Sequence, residues 1–373
     1  MYERVLDRTR VPAFRRGSIG CGAEICEVGC EVRVDRSGKT AESNTGAGAR
    51  EELARLLRHR ALELGFDDAA CCAAEPVPEM SRLAEWIRSG RSGALAYMRD
   101  HLDVRMDPRL LLPGARSVLM VAKSYLRLDP GGNPVAGPVS SHASGRDYHS
   151  VLKKRLWEVG RGAIEAGGRF KLFVDSAPVM EKVIAARAGL GRIGRNSLLV
   201  HPRLGSWIVL GGLVTDLELE ASAPPVGEGG EPPRLPDCDG CRRCVDACPA
   251  GAIALDGAVD AGRCLSYWTI ECAGEWPEWV GCSVAEQVYG CDRCQQVCPA
   301  NRGALPGRGD DFAPFPFDGL TPVELAEWDA TRFRNRTRRS SMRRIRFEQF
   351  HRNALACADA ERRLRSPATK RPE

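Results

Sequence analysis

One run of cysteines constrains this chain more than any other feature. Cys238, Cys241, Cys244 and Cys248 follow the spacing C-x2-C-x2-C-x3-C, with Pro249 next. In the ferredoxin-type version of this run, three thiolates grip one 4Fe–4S cube and the fourth reaches a second cube. Two-residue gaps let one tight loop aim three sulfurs at one centre. Three residues and a proline then turn the chain away, and Gly240 supplies a residue that can bend inside the loop. Downstream, Cys291, Cys294 and Cys298 repeat C-x2-C-x3-C before Pro299 and lack one ligand at the front. Cys264 is expected to supply it; Cys272 and Cys282 compete for that place but have no motif neighbours. Eight thiolates then make two clusters, with Cys238, Cys241, Cys244 and Cys298 on the first. Cys248, Cys264, Cys291 and Cys294 hold the second. Zinc is the competing reading, but zinc sites more often show two C-x2-C pairs than a cross-shared run. Two neighbouring cubes imply electron transfer to something held elsewhere in the chain.

The remaining sequence sets the context. Sixteen cysteines in 373 residues, clustered rather than scattered, point to metal or redox chemistry in a reducing compartment. No apolar run approaches the roughly 18–20 residues of a membrane span, and Arg15-Arg16 lacks the apolar stretch of an export signal. A cytoplasmic location without membrane attachment is expected. Residues 1–49 are Arg-, Gly- and Ser-rich and read as a flexible extension; Cys21, Cys26 and Cys30 there follow no standard ligand spacing. Leucines recurring on one face predict a helix over 51–65. Apolar runs predict strands over 117–123, 170–174 and 207–214. Helices are expected from 151 and over 178–188, the latter with Pro178 in its first turn. Alternating elements argue an α/β domain over 50–220. In such sheets ligands sit beyond the carboxyl ends of strands, where Asp175 falls. A Pro/Gly/Glu-rich linker over 221–236 leads to the cysteine segment, 237–303. Cys71, Cys72 and Cys357 read as core thiols.

The net charge of +5 conceals an asymmetry. Residues 331–373 hold fourteen Lys/Arg against four Asp/Glu, so the rest of the chain is mildly acidic. A basic end over 304–373 suggests a polyanionic partner.

Several stretches together resemble the epoxyqueuosine reductases. They are Gly145-Arg146-Asp147-Tyr148-His149, Val174-Asp175-Ser176-Ala177-Pro178-Val179, Ala188-Gly189-Leu190-Gly191-Arg192-Ile193-Gly194-Arg195-Asn196 and His201-Pro202-Arg203-Leu204-Gly205-Ser206-Trp207. Thr215-Asp216-Leu217-Glu218-Leu219, Arg263-Cys264-Leu265-Ser266-Tyr267-Trp268-Thr269 and both cysteine runs follow in order. The resemblance covers about residues 51–356. It implies an α/β cobalamin-binding domain, a ferredoxin-like domain with two 4Fe–4S clusters, and a short basic α-helical C-terminal region that contacts tRNA. The implied reaction reduces epoxyqueuosine to queuosine at the tRNA wobble position, with an unidentified electron donor and a monomeric enzyme expected.

The resemblance also assigns residues. Asp175 matches the family's proton donor; a free Asp, with a pKa near 3.9, is a poor acid at neutral pH. Desolvation by a bound corrin should raise it. The competing role for Asp175 is a helix N-cap before Pro178. Arg105, Leu199, Leu210, Ser266 and Asp292 are candidate cobalamin contacts. Arg343, Arg344, Arg346 and Arg352 are candidate phosphate contacts, which position RNA without reading sequence. His149 opens like a cobalt-ligating box, but Leu152 breaks the pattern, so a hydrogen-bonding role at a helix start is expected. Gly189 to Gly194 imitates a dinucleotide fingerprint but follows a helix rather than a strand. Those glycines are expected to admit backbone close to the corrin. The linker is longer than in similar chains, and His142 and Arg195 replace a frequent aromatic and a frequent lysine. A reductive dehalogenase with the same cofactors and a non-catalytic electron carrier are the alternative readings.

Overall fold

The structure, a computed structural model, describes residues 46–77, 80–222, 238, 240–284 and 286–365. The expectations for Cys21, Cys26, Cys30 and the linker beyond Ser222 lie outside these residues. In the first half the elements run α1 (Ala47–Glu63), β1 (Asp68–Ala73), α2 (Met80–Arg88), α3 (Leu102–Met106), β2 (Ser117–Ser124), α4 (Tyr148–Glu165), β3 (Phe170–Phe173) and α5 (Glu181–Arg187). A short hairpin of β4 (Arg192–Ile193) and β5 (Leu199–Val200) precedes β6 (Ile208–Thr215).

The main sheet has the order β1-β2-β6-β3. Its register pairs Met120 with Ala70 on one side and Gly212 on the other. Every residue of β2 is buried, as both faces are covered. Val118, Met120 and Ala122 face a core completed by Ile184, Ala185 and Val183 of α5. Leu119 and Val121, one residue out of phase, face Leu53 and Leu57 of α1 and Leu152 and Leu156 of α4. This is the period-two alternation of a pleated strand.

Helices on both faces match the sequence expectation; the direction of the strands does not. All pairings in the sheet are antiparallel, so there is no common carboxyl edge, and the rule that placed a ligand there does not apply. Asp175 is placed by the turn after β3 instead. β1 escaped the sequence reading because Asp68-Ala69-Ala70-Cys71-Cys72-Ala73 contains no β-branched or aromatic residue. Pro178 also lies outside α5, which begins three residues later after Met180.

The second half is built on short elements: α6 (Arg243–Asp246), a π-helical turn (Tyr267–Glu271), α7 (Glu278–Ser283), α8 (Arg293–Gln296), α9 (Pro322–Ala326), α10 (Ala330–Arg336) and α11 (Phe347–Arg365). Thr321 and Glu324 form a reciprocal capping box at α9. Leu265, Val280 and Tyr289 from the cysteine segment share one core with Trp328, Phe333, Met342 and Phe350. The cysteine segment and the basic end, separate in the sequence reading, are therefore packed together. Cys71 and Cys357 are fully buried core thiols and Cys72 nearly so.

Candidate active site

The eight cysteines assigned from spacing fall into the two expected groups. Cys238, Cys241, Cys244 and Cys298 line one small cavity of about 130 Å³ with Gly194, Arg195 and Asn196. Cys264, Cys291 and Cys294 lie within electrostatic reach of one another, and Cys248 of the first two. Burial, reinforced by the neighbouring thiols, pushes Cys291 up to about 11 and Cys264 and Cys294 in the same direction. Such crowded thiols cannot all ionise alone; the positive charge of a bound metal centre is what makes a set of thiolates stable. Among the described residues no three His, Cys, Asp or Glu groups converge tightly enough for a single ion. Four thiols lining one cavity are a donor set that an iron–sulfur cube can use.

Beside the first group lies a much larger cavity of about 1070 Å³, bordered by Gly194, Arg195 and Cys238. Its apolar wall includes Trp86, Met98, Val179 and Val183, and its polar groups include Arg105, Asp175, Glu181, Lys182, Glu271 and Arg344. Arg105 is 91% buried, donates to the Tyr97 carbonyl at 3.1 Å and leaves its Nε without a partner. That Nε is shielded from the cavity as well, so a ligand there would meet the rest of the Arg105 guanidinium.

Asp175 sits at φ +47°, a left-handed conformation that Asp tolerates better than most residues. The turn aims its carboxylate away from α5, which has no side-chain cap, and the N-cap reading fails. Asp175 Oδ2 lies 2.9 Å from His149 Nε2 and 3.2 Å from Arg344 Nη2. Those two nitrogens are 2.8 Å apart. His149 Nδ1 lies 2.7 Å from Asp147 Oδ1, and the Asp147 carboxylate also caps α4 by accepting from the His149 N–H. The Tyr148 ring stacks on His149 with centroids 4.1 Å apart, and Tyr148 also bonds to Asp175. Burial would raise the Asp175 pKa, but the His149 bond, the Arg344 charge and the Tyr148 bond outweigh it and hold it at about 2. The elevated value expected for a corrin-covered acid is thus the reverse of what these partners impose on the cofactor-free chain. Burial against the ring charge is likewise outweighed at His149, whose pKa is raised by its bonds to Asp147 and Asp175. Across the same cavity, burial pushes Glu181 up to about 7, with the Asp175 charge adding to it.

Other assigned residues divide. Leu199 and Leu210 are buried in the core beneath the cavity rather than lining it. Ser266 bonds to Cys264 through both its backbone N–H and its hydroxyl. The Asp292 carboxylate is consumed internally, accepting from Ser140 Oγ at 2.6 Å, the Ser141 N–H at 2.7 Å and Gln295 Nε2 at 3.1 Å. Arg343 and Arg346 are exposed. Arg352 donates to the carbonyls of Trp268, Cys272 and Gly274 and stacks on Trp276 at 4.5 Å, so it clamps α11 to the loop it crosses. Arg344, assigned to RNA with its basic neighbours on the family resemblance, lines the large cavity. Two glycines expected to admit the corrin have local reasons: Gly189 closes α5 at φ +92°, and a Cβ on Gly191 would collide with the Val200 carbonyl. The sequence reading missed Glu181 and the partnership of His149 and Arg344 with Asp175. The Asp-Tyr-His run was the available signal for His149; nothing local marked the other two.

Comparison with known proteins follows the same lines. A family profile described as "Epoxyqueuosine reductase QueG, DUF1730" matches residues 105–176, and one described as a 4Fe-4S double cluster binding domain matches 237–301. The epoxyqueuosine reductase of Vibrio cholerae is 34% identical over 313 residues, 82% of each chain. That of Escherichia coli K12 is 36% identical over 318 residues, 83% of this chain and 82% of its own. A crystal structure of epoxyqueuosine reductase with an epoxyqueuosine-modified tRNA-Tyr stem loop superposes with TM-score 0.72 at 26% identity, covering 83% of this chain and 81% of that one. The Streptococcus thermophilus enzyme gives TM-score 0.72 at 27% identity, covering 82% and 81%.

Proposed function

The chain belongs to the epoxyqueuosine reductase family, and from that premise we propose that its large cavity is where epoxyqueuosine in tRNA is reduced to queuosine. The observation that carries this reading is Asp175, a carboxyl group on a strained turn facing a cavity that adjoins four clustered cysteines. Two 4Fe–4S clusters are assigned to the two cysteine groups, and cobalamin to the large cavity. When bound, those groups supply the two electrons of the reduction; the chain supplies position, protons and insulation from water.

Cys238 lies on the wall that the large cavity shares with the small one lined by Cys238, Cys241, Cys244 and Cys298, so electrons would enter from the first group. The Arg105 guanidinium, at the cavity wall, would hold a polar edge of the cofactor. Val179, Val183, Trp86 and Met98 provide apolar surface and displace water. Asp175 delivers protons to the departing oxygen. An RNA strand bearing the base would approach across the exposed Arg343 and Arg346, with a wobble base unstacked into the pocket.

Glu181 is the competing acid, because a carboxyl with a pKa of about 7 is half protonated at neutral pH. Single-turnover reduction of an epoxyqueuosine-containing stem loop by the cluster- and cobalamin-loaded chain decides between them. Asp175→Ala should retain iron, cobalamin and RNA binding and lose turnover by about 100-fold or more. Full turnover by that variant, with loss in Glu181→Gln, would transfer the role to Glu181.

A further inference from the structure

Opening an epoxide to an alkene breaks two carbon–oxygen bonds. The oxygen leaves as water and takes up two electrons, which the reductase supplies, and two protons. An Asp175 held as a carboxylate in the resting site has neither proton to give. We propose that His149 stores the proton that Asp175 passes to the substrate, so that Asp147, His149 and Asp175 form a relay. This rests on the reading of Asp175 as the donor.

The geometry is that of a relay. Asp147 Oδ1 at 2.7 Å fixes the proton on Nδ1. Nε2 then faces Asp175 Oδ2 at 2.9 Å and Arg344 Nη2 at 2.8 Å; in the relay the stored proton lies on the Asp175 side, and the neutral ring left after transfer can accept from Arg344. Two carboxylates and two cations, His149 and Arg344, balance within this group. Tyr148 stacks on the ring, and His142, which burial keeps neutral more readily than a free histidine despite the Asp292 and Asp175 charges, packs edge-on to Tyr148. Glu271, Tyr289 and Tyr97 are the further titratable groups on the Arg344 side. The charged ring is favoured by the carboxylates at both its nitrogens.

Each proton follows the same path. Nε2–H moves to Oδ2, and this removes the imidazolium charge that had held the Asp175 carboxyl down. Oδ2–H then passes to the departing oxygen, leaving a carboxylate and a neutral ring. Solvent returns a proton to Nε2 before the second transfer. His149 acts through Asp175 and is therefore a positioning residue rather than a catalytic one.

The test is the pH profile of single turnover with the loaded enzyme and an epoxyqueuosine stem loop. For the native chain the rate should hold on the acid side and fall as pH rises through the His149 pKa, above the usual 6.5. His149→Gln keeps an amide donor near Asp175 but stores no proton. It should turn over about 100-fold more slowly, lose that limb and fall steadily with rising pH, with iron, cobalamin and RNA binding intact. Imidazole added to His149→Ala should restore part of the rate. Asp147→Asn should move the limb to lower pH, and the 13C shift of the His149 ring should titrate at the limb's position in the native chain and at the lower pH in this variant. A native limb surviving in His149→Gln, or unmoved in Asp147→Asn, overturns the relay. So does a ring that titrates below 6.5. If Asp175→Asn turns over fully, the donor assignment itself fails; if it is inactive while His149→Gln keeps the native profile, only the relay fails. Disappearance of the limb in Glu181→Gln instead of His149→Gln would assign the stored proton to Glu181.

Discussion

Arg344 acts on both members of the His149–Asp175 pair in the same direction. Its positive charge disfavours the protonated ring and favours the Asp175 carboxylate, so it lowers the pKa of each. Substituting Arg344 by Ala should therefore move the alkaline limb of turnover to higher pH, by about one unit for a charge at this range near solvent. Arg344→Lys should return it towards the native position. An unmoved limb together with weaker tRNA binding would make Arg344 a phosphate contact after all. Residues differ in how far sequence could expose them. Seven of the eight cysteines were legible as candidates because ligand spacing is local: a short loop and its proline dictate where each sulfur points, whereas Cys264 was marked only by its place between the two runs. The pairing of Asp175 with His149 joins positions 26 residues apart, and that with Arg344 joins positions 169 apart. No local pattern encodes such contacts, so a guanidinium in a basic run read as an RNA contact and a histidine at a helix start read as a helix-start residue.

The stretch from the turn Ser341–Arg344 into α11 divides its cations between two tasks. Met342 and Ile345 are buried in the third core, which leaves Arg343 and Arg346 on the outer surface and turns Arg344 towards the large cavity. Arg352 is spent on carbonyls of the loop beneath α11. The double variant Arg343→Ala/Arg346→Ala should weaken tRNA binding at low salt by about 10-fold. It should also flatten the salt dependence by roughly one to two units, one for each phosphate no longer neutralised by a guanidinium. Turnover of RNA already bound should be unaffected. Unchanged affinity at low salt, measured by filter binding or fluorescence anisotropy, would place the RNA path elsewhere. At this scale the long apolar runs were readable: β2, β3, β6, α1 and α4 fall where their side-chain periods put them. Their connectivity was not. Alternating strands and helices are compatible with parallel and antiparallel sheets alike, because strand direction is set by the paths of the connections and not by the pattern within a strand.

The whole molecule depends on how the chain beyond the second cysteine run returns to the sheet. Lys123 on β2 is fully buried, and its Nζ lies 3.0 Å from Asp311 Oδ2 and 3.4 Å from Asp67 Oδ2 and donates to the Arg308 carbonyl at 2.5 Å. Asp311 is also held by Arg155 of α4, and Asp67 accepts from the Arg308 N–H at 2.9 Å. One ammonium group thus ties the sheet to the stretch around 308–311, and through it to the helices that carry Arg344. Removing one partner of a buried ionic set strands the others, at a cost of about 3–5 kcal/mol. Lys123→Met should lower the anaerobic unfolding midpoint correspondingly and slow turnover by loosening the placement of Arg344. The pH dependence gives an independent check. Burial would raise the Asp311 pKa, but the Arg155 and Lys123 bonds outweigh it and the value is lowered. The stability this carboxylate contributes is therefore complete above its unfolded pKa of about 3.9 and is lost as pH falls through its lower folded value. Lys123→Met should be less stable near neutrality yet lose less on acidification in that window. Parallel acid unfolding curves for the two proteins would mean that Lys123 is not what anchors the C-terminal half.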